Sequence, residues 1–372
     1  MITFEHIENM LFPRIFLRSF RILLFPVAVI YGMGVRVRNW LYDKKIWRSV
    51  PFGLPLISVG NLAVGGTGKS PFIQYLVTQL GDPQTLAVLS RGYKRRSKGY
   101  RLARPDSTVA ELGDEAMLLY TRNPDLSVAV GEQRILAIPQ LLQDRPDTRC
   151  ILLDDAHQHR SILPGLHILL TDYNNLFTRD FFLPTGDLRD ERSSYRRADI
   201  LVVTKCPPDL TSEQAAAIRR ELTTLPHQTV FFTTMEMEKP RHWQKPQYAR
   251  SPEKQEILLL TGIANPSPLK NWMEREAASY HFIPYSDHHL FNIEDIREIR
   301  GQFRNLQNPD AWILTTAKDA IRLQPFQSEL QDLPVYVTDY QHRFLFDQEP
   351  LFQQRLQQFM TDQLSDKNGK KE

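Results

Sequence analysis

The stretch best equipped for chemistry runs from Pro55 to Tyr75 and reads PLISVGNLAVGGTGKSPFIQY. Its charged centre is Lys69, preceded by Gly65, Gly66, Thr67 and Gly68 and followed by Ser70. Glycines let backbone N–H groups converge on anionic oxygens, a lysine here reaches terminal phosphates, and a serine hydroxyl suits magnesium. The elements that must position such a loop are legible on both sides. Leu56 to Val59 is a short apolar run between Pro55 and Gly60, long enough for a buried strand. Pro71 stands where the first turn of a helix tolerates proline, and an apolar-periodic segment follows it. Strand, glycine turn, Lys-Ser and helix make a nucleotide phosphate site, although Ala63 replaces the glycine usual at the loop's start. A glycine-rich turn with a solvated lysine leaves that framing unexplained.

Other candidate groups follow in chain order. The apolar run Leu86 to Ser90 empties into RGYKRRSKGYRLAR, where Arg91 and Tyr93 lie closest to the strand end. Basic residues there suit an anionic substrate or a lipid surface, and no RNA- or DNA-reading motif accompanies them. Gly113-Asp114-Glu115 precedes an apolar stretch. These carboxylates either cap a helix or, for Asp114, accept a proton from a substrate. Arg134 opens a helix after the strand Ser127 to Val130. Cys150 to Leu153 is an apolar strand ending in Asp154-Asp155, the place where a phosphate-loop site keeps carboxylates for magnesium or its water. His157 and His159 follow and fit hydrogen-bonding roles, because magnesium prefers oxygen; a hydrolase metal site stays open. Asp287, His288 and His289 sit at a strand exit as a metal site, a base system or a polar loop.

The 372 residues, 42% of them apolar, suffice for two domains, and a formal charge of +3 is too small to argue for nucleic acid. Cys150 and Cys206 give neither a disulfide framework nor metal-ligand spacing and read as buried thiols. Alternating strands and helices argue for an α/β fold with parallel sheets. The reading is a P-loop NTPase-like core over 41–235 and a smaller α/β domain over 257–372. A linker or β-ribbon over 236–256, rich in Pro, Lys, Arg and Gln, joins them. The Lys-rich tail after Ser365 reads as disordered.

Residues 1–40 form a membrane-associating segment in this reading. As a helix, Phe12, Phe16, Phe20, Leu23 and Val27 share a face, with Arg14, Arg18 and Arg21 roughly opposite. The more apolar piece, Ile22 to Val35, falls short of the ~20 residues a span requires. A peripheral anchor on an anionic, cytoplasmic-face leaflet fits better, and no cleavage site supports a signal peptide.

Taken jointly and in order, several blocks resemble the tetraacyldisaccharide 4′-kinase family of lipid A biosynthesis. They are GN-x3-GG-T-GKS from Gly60, LSRGY (Leu89 to Tyr93), GDE (Gly113 to Glu115) and DDAHQHR (Asp154 to Arg160). LPTGDLRD (Leu183 to Asp190), TGIANP (Thr261 to Pro266), DHH (Asp287 to His289) and TTAKDAIR (Thr315 to Arg322) complete the set. The resemblance implies transfer of the ATP γ-phosphoryl group to the 4′-hydroxyl of a tetraacylated disaccharide 1-phosphate, giving lipid IVA. It implies a bacterial enzyme at the cytoplasmic face of the inner membrane, with ATP and Mg2+ as cofactors and no obligatory protein partner. Asp114 and His288 map onto the family's working aspartate and histidine, with Asp287 steadying His288. Lys69 and the loop amides would hold the β- and γ-phosphates. Ser70, Asp154 and Asp155 would hold the metal, and Arg91, Tyr93, Glu115 and Arg134 would face the substrate. A membrane-cycling ATPase switch of the deviant Walker type is the alternative, against which Val64 occupies the place of that class's lysine. A metallohydrolase built from DDAHQH and SDHH would leave the phosphate loop without a purpose.

Overall fold

The structure is a computed structural model that describes residues 20–306 and 308–369. The chain divides into two units. One comprises the segments up to Arg91, Asp125–Met235 and from His342 onward; the other comprises Gly92–Pro124 and Glu236–Gln341. The linear boundaries expected from sequence run differently, because 92–124 belongs with the second unit and the chain returns to the first at His342.

The first unit is built on a largely parallel sheet in which Leu56–Asn61, Leu86–Ser90, Ser127–Val130, Cys150–Asp154 and Ile200–Thr204 are buried along their whole length. Its order runs Tyr340–Phe344, Thr229–Met237, Ile200–Thr204, Leu166–Asp172, Leu56–Asn61, Cys150–Asp154, Leu86–Ser90, Ser127–Val130. The pairs from Thr229–Met237 through Ser127–Val130 are all parallel. Runs such as LISVGN and ILVVT are apolar on both faces because helices cover both sides of such a sheet. The helix Lys69–Gln79 buries Phe72, Ile73, Leu76 and Val77. Phe352, from the long final helix Glu349–Gly369, seats among Phe72, Phe231 and Phe344 at centroid distances of 5.7, 5.3 and 5.0 Å. That helix runs past Ser365, where the sequence reading expects disorder. Cys150 and Cys206 are buried free thiols.

A 3-10 turn, Phe20–Leu24, leads into the helix Phe25–Asp43, with proline in its first turn. Its buried residues are Ala28, Gly32 and Asn39. A Cβ on Gly32 would meet the Phe182 ring at 2.7 Å, so glycine permits this close approach. Tyr31 donates to the Arg189 carbonyl at 3.0 Å, and Asn39 donates to Asp190 Oδ1 at 2.8 Å. Arg21, expected on a basic ridge of a membrane-associating helix, instead binds the Pro184 carbonyl and Asp187 Oδ1, each at 2.8 Å. The stretch Arg21–Asp43, at 23 residues, is long and apolar enough to cross a membrane. The sequence count stops too early, at Arg36, which the helix absorbs. Phe12, Phe16, Arg14 and Arg18 lie outside the described residues.

The second unit carries its own sheet, in the order Arg241–His242, Val335–Thr338, Trp312–Thr316, Glu256–Thr261, Ser279–Pro284. All pairs are parallel except the first, at the edge. Alternate residues point to opposite faces: Ile257, Leu259, Trp312 and Leu314 to one core, Leu258, Leu260 and Ile313 to another. The helix Asp114–Arg122 packs against the helix Ala317–Leu323 in this unit.

Candidate active site

Two clusters of functional side chains form, one in each unit. In the first, the strand Leu56–Asn61 brings Asn61 to the start of the glycine loop, and the helix opening at Lys69 ends it. Gly68, the N-cap, sits at φ 83, a left-handed backbone that favours glycine, and a Cβ there would meet His342 Nε2 at 3.0 Å. His342 donates from Nε2 to the Gly68 carbonyl at 2.9 Å, and its Nδ1 accepts from the Thr233 hydroxyl at 2.9 Å. Burial pushes this imidazole down to about 4, so the ring stays neutral and one tautomer satisfies both bonds. The Thr204 hydroxyl donates to the Thr67 carbonyl at 2.9 Å.

Lys69 Nζ lies 3.1 Å from Asn61 Oδ1 and 3.4 Å from Asp155 Oδ1. Arg189 donates to Asp155 Oδ2 at 2.7 Å and to Asn61 Oδ1 at 2.6 Å, and it also engages Asp155 Oδ1. Burial alone would raise the Asp155 pKa, but Arg189 and Lys69 outweigh it and hold the carboxylate well below its usual range. The buried Thr67 Oγ1 and Asn61 Nδ2 have no hydrogen-bond partner among the described residues. With the free N–H groups of the helix start, they form a donor set suited to phosphate oxygens.

The second cluster centres on Asp114, the first residue of its helix. Its Oδ2 accepts from His288 Nδ1 at 2.8 Å and from Arg322 Nε and Nη2 at 3.0 and 2.6 Å. Burial would raise the Asp114 pKa; Arg322 first and His288 second bring it below the ordinary value instead. His288 Nε2 stands 3.5 Å from Asp287 Oδ2, and the Tyr93 ring lies 6.4 Å from the imidazole. His289 turns elsewhere: it meets Asp295 Oδ2 at 2.8 Å and stacks on Tyr285.

The family profile described as tetraacyldisaccharide-1-P 4′-kinase (LpxK) matches residues 20–361. The chain belongs to the tetraacyldisaccharide-1-P 4′-kinase family. Relatives named tetraacyldisaccharide 4′-kinase include one from Flavobacterium johnsoniae, 42% identical over 330 residues, covering 88% of this chain and 95% of that protein. One from Phocaeicola vulgatus is 38% identical over 359 residues, covering 91% of this chain and 94% of that protein. The crystal structure of "apo" form LpxK from Aquifex aeolicus in complex with ATP superimposes with TM-score 0.70 at 25% identity, covering 92% of this chain and 100% of that one. The fold is thus a P-loop kinase fold of mixed α/β type with parallel sheets.

In this member of the kinase family, Gly65, Gly66, Thr67, Gly68, Lys69 and Ser70 share one loop, as their spacing requires. Arg91 is exposed at its strand end, and Glu115 is bridged to Lys318 at 2.8 Å. Arg134 needs correction as a substrate contact. It is fully buried, and its guanidinium donates to the Gly131 and Asp154 carbonyls, so it braces the strand end beneath the carboxylates. His157, almost fully buried, shares a hydrogen bond with the Ser194 carbonyl. Among the described residues no three His, Cys, Asp or Glu side chains gather so as to hold a metal, which removes the ligand set of a metallohydrolase. Magnesium in phosphate-loop sites takes only one or two protein oxygens and fills its octahedron with water and phosphate. Ser70 Oγ and the Asp154 carboxylate fit that demand, whereas Asp155 is already the counter-ion of Lys69 and Arg189.

Asn61, Arg189, His342, Asp319 and Arg322 are the site residues that sequence reasoning left without a role. Asn61 and Arg189 stand inside the GN and LPTGDLRD blocks, and Asp319 and Arg322 inside TTAKDAIR, so the signal was present as unexplained polar residues in family motifs.

Proposed function

We propose that this chain transfers the γ-phosphoryl group of ATP to the 4′-hydroxyl of tetraacyldisaccharide 1-phosphate, forming lipid IVA in lipid A biosynthesis. The observation that carries this reading is the phosphate loop Gly65–Ser70, with the Thr67 hydroxyl and the Asn61 amide beside it left without partners among the described residues, inside a chain matched to the kinase family over 20–361. Phosphoryl transfer leaves a protein mainly positioning and charge stabilisation to perform. Lys69, aimed by Asn61 and Asp155, holds the terminal phosphates. Thr67, Asn61 and the loop amides add neutral donors. Ser70 and Asp154 would hold magnesium, which when bound would supply charge neutralisation for the transferring phosphoryl group. Asp114 takes the proton of the attacking hydroxyl, and His288, steadied by Asp287, fixes and tunes it. Arg91 and Tyr93 meet the anionic substrate.

The protein works at the cytoplasmic face of the bacterial inner membrane. The helix Phe25–Asp43 supports this: Ala28, Gly32 and Asn39 are buried on the protein, while Val27, Ile30, Met33, Val37 and Trp40 are half or more exposed. Its acyl-chain substrate then need not leave the bilayer. The test is incubation of purified protein with γ-labelled ATP, magnesium and a lipid A disaccharide precursor in detergent micelles. Label in lipid is the expected result. Label released only as free phosphate would instead establish the ATPase switch.

A further inference from the structure

Arg322 and Asp319, on the helix Ala317–Leu323, have no part in the mechanism above, yet both are buried to 5% exposure or less. Asp319 is a carboxylate saturated with donors. Its Oδ2 accepts from the Thr261 and Thr316 hydroxyls at 2.7 Å each and from the Gly262 N–H at 3.1 Å; its Oδ1 accepts from Arg322 Nη1 at 3.0 Å. The guanidinium is thereby held flat between two carboxylates, with Nε and Nη2 on Asp114. Gly262 ties in the third party. Its carbonyl accepts from Arg322 Nη1 at 3.1 Å and from the His288 backbone N–H at 3.1 Å. His288 itself sits at φ 61, a backbone that this bond helps to hold. A Cβ on Gly262 would meet the Ser286 carbonyl at 2.9 Å and Asp319 Oδ1 at 3.3 Å, so the hub tolerates no side chain.

Every side-chain hydrogen bond that Asp114 makes to a described residue ends on Oδ2. We infer that Arg322, braced by Asp319 and Gly262, is a positioning residue that locks Asp114 through Oδ2 and so reserves Oδ1 for the acceptor hydroxyl. A carboxylate held by a fork of two N–H groups loses rotation about its own axis, which presents the remaining oxygen in one direction. The same cation keeps Asp114 ionised; the other titratable groups around it are His288, with Asp287 behind, and Lys318, which is bridged to Glu115. The inference rests on Asp114 being the proton acceptor.

The experiment compares Asp114→Asn, Arg322→Lys and the double variant Arg322→Met/Asp319→Asn, the last designed to leave no unpaired carboxylate in the core. Lipid phosphorylation is followed from acid to neutral pH, and ATP binding is measured alongside. The lock predicts that both Arg322 variants lose about 10- to 100-fold in kcat, as small misplacements of reacting groups do. It also predicts that their acidic limb moves to higher pH while ATP affinity stays as in the parent protein. A merely structural Arg322 would lower folded protein and ATP binding together and leave the limb in place. Full activity of Asp114→Asn would overturn the base assignment itself. An inactive Asp114→Asn beside an Arg322→Lys with parental kcat and an unmoved limb would overturn this inference alone, and Arg322→Lys keeps that outcome readable if the double variant does not fold.

Discussion

Asp114 is the residue on which the chemistry turns, and its surroundings separate two demands. A general base must be ionised at working pH and must also be near enough to take a proton. Arg322 and His288 satisfy the first by opposing the burial that would otherwise keep the acid neutral. Asp114→Ala is therefore expected to lower turnover by ~10² or more with ATP binding nearly intact, as general-base losses do. Steady-state kinetics beside equilibrium ATP binding check this, and an unimpaired variant would remove Asp114 from the reaction. His288 rather than His289 is its partner for a local reason: His289 is taken up by Asp295 and Tyr285. Adjacent histidines in DHH give no such distinction from sequence, because facing is decided by the turn and by what packs beside it.

At the scale of elements, the glycine loop is braced by residues far away in the chain. The strand Tyr340–Phe344 delivers His342 to the Gly68 carbonyl across 274 positions. A net hydrogen bond contributes ~0.5–1.5 kcal/mol, so His342→Ala should weaken ATP binding by roughly 2- to 10-fold. His342→Gln, whose amide can also donate to that carbonyl, should restore much of it. Calorimetric ATP titration of the two variants decides, and equal behaviour would show that the ring acts by volume alone. The helix Phe25–Asp43 offers another test. Ile30→Asp together with Val37→Asp alters only exposed positions, at 65% and 58%. The pair should reduce flotation with anionic vesicles while leaving ATP binding unchanged. Strand and helix identities on both sides of the loop, and the parallel-sheet class, were legible because each rests on local apolar patterning. Asn61, Arg189 and His342 were not, since their roles exist only once distant strand ends meet. Arg134 misled for the related reason that a cation near a motif reads as a ligand contact until its burial is known.

For the whole molecule, acid should be a specific weakness. Burial lowers His342, His159 and His167 to about 4 and holds His157 well below the ordinary value of 6.5. Between those values the unfolded chain binds protons that the native chain refuses, so stability falls as pH drops through that window. Asp114 and Asp155, held below the usual carboxylate range, add a further loss only at lower pH, as they protonate. Thermal midpoints recorded from neutrality to about pH 4 should decline throughout; a plateau across that range would contradict the buried neutral histidines. All four lie in the first unit, so the loss begins there.

That unit is assembled from both ends of the chain, with His342 and Phe352 arriving last. Synthesis on the ribosome proceeds from the other end, at about 5–20 residues per second. A nascent polypeptide arrested before position 342, lacking both His342 and the Phe352 helix, should therefore fail to capture immobilised nucleotide, and extension through Phe352 with folding of that segment should switch the capacity on. Competence to bind ATP is, on this reading, acquired only once the segment carrying His342 and Phe352 has folded onto the first unit.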